Sequence, residues 1–142
     1  MMASEVNYIQ QPKNSRLCGQ SCVAMASGLT LEQAIELFGH RHGTTTKDLV
    51  RVLRENEVPC DSRLRVIRRN IIPARSILKV QFDVPGRKTP AWHWVLAWDG
   101  EIHDPAGPDP RYPKETYITA ALNLDLTSEE EAPGPILIAY EA

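Results

Sequence analysis

Cysteine is scarce in this chain: only Cys18, Cys22 and Cys60 occur in 142 residues. So small and odd a number cannot build a disulfide framework, so reduced thiols are expected and a packed core must hold the fold. The length suits one domain spanning residues 1–142. Charge of one sign is also lacking, since 16 Lys and Arg face 18 Asp and Glu for a formal net charge of −2. That balance gives no reason to expect nucleic acid or a membrane surface as partner. No apolar run approaches the roughly 20 residues needed to span a bilayer. The opening Met1 to Asn7 has no basic stretch followed by an apolar one, as a secretory signal would. A cytoplasmic protein whose function resides in a local site is the expectation.

What is present divides into a helical first half and a strand-rich second half, an α+β order with N-terminal helices packed on a C-terminal antiparallel sheet. Residues 5–10 read as a short strand, followed by a loop over residues 11–15. A helix is expected from Cys18 to Ser27, closed by Gly28 in the left-handed position. Thr30 with Gln33 has capping-box spacing for a second helix, with Leu31, Ala34, Ile35 and Phe38 as its apolar stripe and Gly39 as its stop. His40-Arg41-His42-Gly43 reads as a solvated loop. A third helix opens at Thr46 and runs to about Asn56, with Leu49, Val50, Val52 and Leu53 inward.

Past Pro59, which no helix interior would tolerate, the period changes. Residues 63–67 alternate as a half-buried strand, and the positive charge concentrated at Arg65, Arg68 and Arg69 is either a solvated face or a surface that recognises an acidic partner. Residues 77–82 form a second strand, and the basic segment 85–90 is a connector. A short helix is expected within residues 114–123, an exposed acidic turn at residues 127–131 and a closing strand at residues 135–140. The proline-rich loop at 105–113 either lines a substrate groove or is a plain crossover. Trp92, Trp94 and Trp98 are expected in the core and as walls of a site.

Asp99-Gly100 is a strong two-residue hairpin signal between residues 92–98 and 101–104. With those two residues as the turn, Trp98 pairs with Glu101, Ala97 with Ile102, Leu96 with His103 and Val95 with Asp104. Alternation then places His93, Val95 and Ala97 on one face with Ile102 and Asp104. His93 and Asp104 become diagonal neighbours with Cα atoms roughly 7–8 Å apart, close enough for an imidazole to meet a carboxylate. His103 falls on the opposite face. Of the two histidines, the register therefore selects His93.

Cys18 stands where the first helix begins, and unpaired N–H groups at a helix N-terminus favour thiolate, the nucleophilic form. Cys22, four residues on, reads as a small buried hydrophobe. Gln11, the run Cys18-Gly19-Gln20-Ser21-Cys22-Val23-Ala24-Met25, then His93-Trp94-Val95-Leu96 and Asp104-Pro105-Ala106-Gly107 together resemble the papain-like cysteine peptidase superfamily. Within it the likeness is to the peptidases that process bacteriocin leaders and to their stand-alone relatives. The resemblance implies a papain-like fold, Cys18 as nucleophile, His93 as base, Asp104 as its orienting acid and Gln11 as side-chain donor to the oxyanion hole. That family places its Gln six residues before the Cys, whereas Gln11 lies seven before Cys18, a difference that a one-residue bulge at residues 14–16 would absorb.

The expected activity is a cysteine hydrolase acting on a peptide, isopeptide or related amide bond through an acyl-enzyme. The expected partner is a peptide or protein substrate, with no cofactor. A deamidase or transglutaminase uses the same triad, and a non-catalytic peptide-binding module on the same fold is a further class. Metal binding through Cys18, Cys22 and His93 is a third, and would exclude catalysis.

Overall fold

The computed structural model describes residues 6–67, 71–107, 117–124 and 129–131. Three helices come first: α1 (Cys18–Ser27), α2 (Leu31–Phe38) and α3 (Thr46–Glu55). Strands follow: β1 (Arg65–Val66), β2 (Ile71–Pro73), β3 (Arg75–Phe82), β4 (Ala91–Trp98), β5 (Glu101–His103), β6 (Tyr117–Asn123) and β7 (Glu129–Glu131). Among the described residues no helix is long and apolar enough to cross a membrane.

The helix termini follow local chemistry. Thr30 accepts from the Gln33 N–H at 3.1 Å while its own N–H donates to Gln33 Oε1 at 2.9 Å, closing the expected capping box. Thr45 and Asp48 form a second box at the start of α3, a signal the sequence carries as Thr-x-x-Asp. Helix α1 ends on Gly28 at φ 72°, whose N–H donates to Ala24 O. At its other end α1 differs from α2 and α3, because Leu17 occupies the N-cap position and supplies no side-chain hydrogen bond.

The main sheet is antiparallel, with strand order β1-β6-β3-β4-β5, and β2 pairs with β7 separately. The β4–β5 hairpin takes the expected register, Leu96 opposite His103, Ala97 opposite Ile102 and Trp98 opposite Glu101. Asp99 at φ 50° and Gly100 at φ 92° supply the two left-handed residues that such a turn needs. At its tip Arg75 grips the Asp99 carboxylate through Nε at 3.0 Å and Nη2 at 2.8 Å, and its guanidinium lies over Trp98.

The central strands β3, β4 and β6 bury side chains on both faces of the sheet. In one row across β4, β3 and β6, Leu96, Ile77 and Leu122 join Cys22, Val23, Phe38, Leu49 and Leu53 from the helices in one cluster. One residue along the same strands, Val95, Leu78 and Ala121 join Ile67, Ile72, Val80, Ala97 and Ile118 in a second. Period-two alternation thus divides β4 between two cores, and α1 packs directly against that strand.

Several expectations change. Residues 6–10 form no strand; the contacts of this segment with the loop after β5 come from the Tyr8 hydroxyl and, just past it, from the Gln11 N–H. The helix expected within residues 114–123 is strand β6, since pairing with both β3 and β1 outweighs the helix preference of Ala120, Ala121 and Leu122. Within the acidic turn expected at residues 127–131, Glu129–Glu131 is strand β7, paired with β2. The strand expected at 63–67 contracts to β1, and the one expected at 77–82 begins at Arg75. The closing strand at 135–140 lies outside the described residues, as do Arg68 and Arg69.

Candidate functional site

Cys18 is the first residue of α1 and is half-buried, while Gly19 to Met25 behind it are buried. The first intrahelical bond of this helix runs from the Ser21 N–H to Leu17 O at 2.9 Å, so the N–H groups of Cys18, Gly19 and Gln20 precede it. With no side chain capping the turn, those donors and the positive end of the helix dipole face the thiol's end of α1.

His93 lies near the start of β4, the strand α1 packs against. Its Nε2–H donates to Asp104 Oδ1 at 2.8 Å, and the imidazole also hydrogen-bonds the Cys18 side chain. An imidazole has two ring nitrogens, so with Nε2 on Asp104 it is Nδ1 that serves Cys18. Burial opposes a charge on His93, but the hydrogen bond with Asp104 and then the contact with Cys18 outweigh it and push its pKa up to about 9.

Asp104 is held from several sides. Its Oδ1 also accepts from the Ala106 N–H at 2.8 Å, and its carbonyl accepts from Gly107 N–H at 3.1 Å, which folds the chain back tightly after β5. The Tyr8 hydroxyl donates to the same carbonyl, and the Gln11 N–H donates to Pro105 O at 2.8 Å. The segment before α1 therefore straps the acid's loop. Sequence reasoning missed Tyr8, whose partner lies 96 residues away.

Cys18, His93 and Asp104 are thus brought together, and Gln11 is placed beside the Asp104 loop. The side chain of Gln11 faces another way: its Nε2 donates to Ser15 O at 2.9 Å and lies 3.2 Å from Ser15 Oγ, while its Oε1 is buried without a partner. The intervening loop turns at Asn14, φ 59°, and Ser15 closes it through bonds to Pro12 O.

The other two candidates for chemistry differ. Burial, then the neighbouring Cys18 and Asp104, hold the Cys22 thiol well above its ordinary range, so it stays protonated and unreactive. His103 pairs across the hairpin with Leu96, and burial draws its pKa down against the pull of Glu101. Cys60 is buried, and its carbonyl accepts from Arg54 Nη2 at 3.1 Å. Among the described residues no group of three or more His, Cys, Asp or Glu side chains could hold a metal ion.

Comparison with known proteins returned no matching family profile, curated protein or solved structure.

Proposed function

We propose that this protein is a cysteine hydrolase of papain-like type that cleaves a peptide, isopeptide or related amide bond. The observation that carries the reading is the continuous link from Cys18 through His93 to Asp104, with the nucleophile at the head of a buried helix and the base on the strand packed against it. A buried imidazole that keeps its proton to about pH 9 provides a positive partner beside Cys18 throughout the neutral range. Asp104, fixed by its own loop, orients that ring and stabilises its charged form.

In the proposed reaction Cys18 Sγ attacks the carbonyl carbon and the carbonyl electrons move to oxygen. The Cys18 N–H, ahead of the first intrahelical bond, is the backbone donor available to that oxyanion. Gln11 joins it only by exchanging its bonds to Ser15, a rearrangement within one short turn. Collapse breaks the C–N bond and the departing amine takes the proton from His93, leaving a thioester on Cys18. Water, deprotonated by His93, then attacks the thioester and releases the acid and the free thiol. Each oxyanion donor is worth roughly 2.7–4 kcal/mol in such a step.

The test is mass spectrometry of a mixed library of linear peptides and lysine-branched isopeptides after incubation with wild type and with Cys18→Ala. New termini that require Cys18 are the expected result. A gain of one mass unit at Gln without cleavage would reassign the chemistry to deamidation, and amine adducts would reassign it to transglutamination. Retention of intact peptide by both proteins would make the fold a binding module.

A further inference from the structure

We infer that Gln20 is a positioning residue for Cys18, acting through the loop between α2 and α3; this rests on the proposed role of Cys18 as nucleophile. Gln20 is fully buried, two residues behind Cys18 in the same helical turn. Its Nε2 donates to His42 O at 3.0 Å and to His40 O at 3.3 Å, so both amide hydrogens are spent on carbonyls of one loop. The loop is itself anchored to α3, because His40 Nε2 lies 3.3 Å from Asp48 Oδ2, the side chain that also closes the Thr45 box. The two imidazoles of His40 and His42 stack in parallel at 3.7 Å, a further contact within the loop. Gly19 meets the same loop so closely that a Cβ on it would lie 2.0 Å from Thr44 Oγ1.

These contacts hold the first turn by other means than a cap. Leu17 gives α1 no side-chain cap, so no side chain holds the N-terminal end of its first turn, and the loop at residues 40–44 braces it from behind. Stability alone is a poor reason for the arrangement. Gln20 Oε1, Ser21 Oγ and Thr44 Oγ1 are all buried without hydrogen-bond partners, and a half-satisfied buried amide is worse than an apolar side chain of the same shape. What the amide secures is the place of the helix's first turn, and with it the reach of Cys18 to His93.

The test is Gln20→Met, which keeps the volume and removes both donors, compared with wild type and His93→Ala. The readouts are the urea midpoint and the iodoacetamide rate at Cys18 across pH 5 to 9. The expected result is a folded protein whose rate at pH 7 falls at least tenfold and whose pH profile moves toward that of an ordinary thiol. A Gln20→Met protein with wild-type rate and profile overturns the inference, whatever its stability. A second variant with two glycines inserted between the exposed Arg41 and His42 alters the loop without touching a buried side chain. It should show the same loss, and a wild-type profile there overturns the inference even if Gln20→Met fails to fold. If wild type itself shows no dependence on His93, it is the hydrolase reading that fails. Dependence on His93 with indifference to Gln20 leaves that reading standing and removes only this one.

Discussion

Replacing Gly19 with Ala sets two effects of known sign against each other. In an exposed helix interior the change gains about 1 kcal/mol of helix propensity. Here the new methyl carbon would stand 2.0 Å from Thr44 Oγ1, 3.1 Å from Thr44 Cβ and 3.2 Å from Thr44 Cγ2. Thr44 is buried and β-branched, so of its two other staggered rotamers one puts the larger methyl where the oxygen was and the other must turn that methyl into packed surroundings. Overpacking of this kind costs about 1–3 kcal/mol, so after the propensity gain Gly19→Ala should destabilise by up to about 2 kcal/mol net. Thr44→Ala removes both terminal atoms and an unpartnered hydroxyl, leaving only the contact with Cβ. In that background Gly19→Ala should be neutral or stabilising, which makes the coupling about 2 kcal/mol in a four-protein cycle. Urea unfolding followed by tryptophan fluorescence measures it, since Trp94 is buried in the core that α1 shares. Iodoacetamide labelling of Cys18 should slow in Gly19→Ala and recover in the double variant. Additivity of the two changes within about 0.5 kcal/mol would refute the claim that Gly19 and Thr44 set the seat of α1.

Other outcomes follow from the same geometry. Cys22→Ala should leave Cys18 labelling intact while lowering stability by about 1 kcal/mol or more through a cavity beside Val23 and Leu96, as read from the urea midpoint. The raised pKa of His93 carries a stability term that is complete below the unfolded value near 6.5 and lost as pH rises through about 9. Measured in Cys18→Ala, so that transfer of the thiol proton cannot cancel it, adding Asp104→Asn should lower the imidazole's titration by NMR and flatten the fall in stability above pH 6.5. An unchanged titration would show that Asp104 does not hold the charge. Tyr8→Phe removes the donor to Asp104 O and should lower stability by about 1 kcal/mol. It should also speed amide exchange at Ala106 and Gly107.

What the sequence made legible was decided by neighbours in the chain. Asp99-Gly100 fixes its own turn and therefore the hairpin register, and that register alone brings His93 and not His103 toward Asp104. Thr30 with Gln33, Gly28 and Gly39 set helix ends by contacts within four residues. The features missed were decided at a distance. Tyr117–Asn123 mixes strand formers at Tyr117, Ile118 and Thr119 with helix formers at Ala120, Ala121 and Leu122, and pairing with β3 and β1 decides for the strand. Ile71–Pro73 and Glu129–Glu131 define each other as strands, and neither declares itself alone. Gln20 looked like one more residue of a helical run, because the carbonyls it serves belong to a loop twenty residues away. Gln11 was marked by its place before Cys18, but spacing does not determine where an amide points, and Ser15 is the nearer acceptor.

The most direct measurement of the central claim is a brief iodoacetamide pulse across pH 5 to 9, read by intact-protein mass spectrometry on wild type, Cys18→Ala, His93→Ala and His103→Ala. The triad account predicts fast single labelling in wild type that persists well below pH 8.5, vanishes in Cys18→Ala, slows sharply in His93→Ala and is unchanged in His103→Ala. Labelling that rises only with the titration of an ordinary thiol, near pH 8.5, and is indifferent to His93, would contradict it.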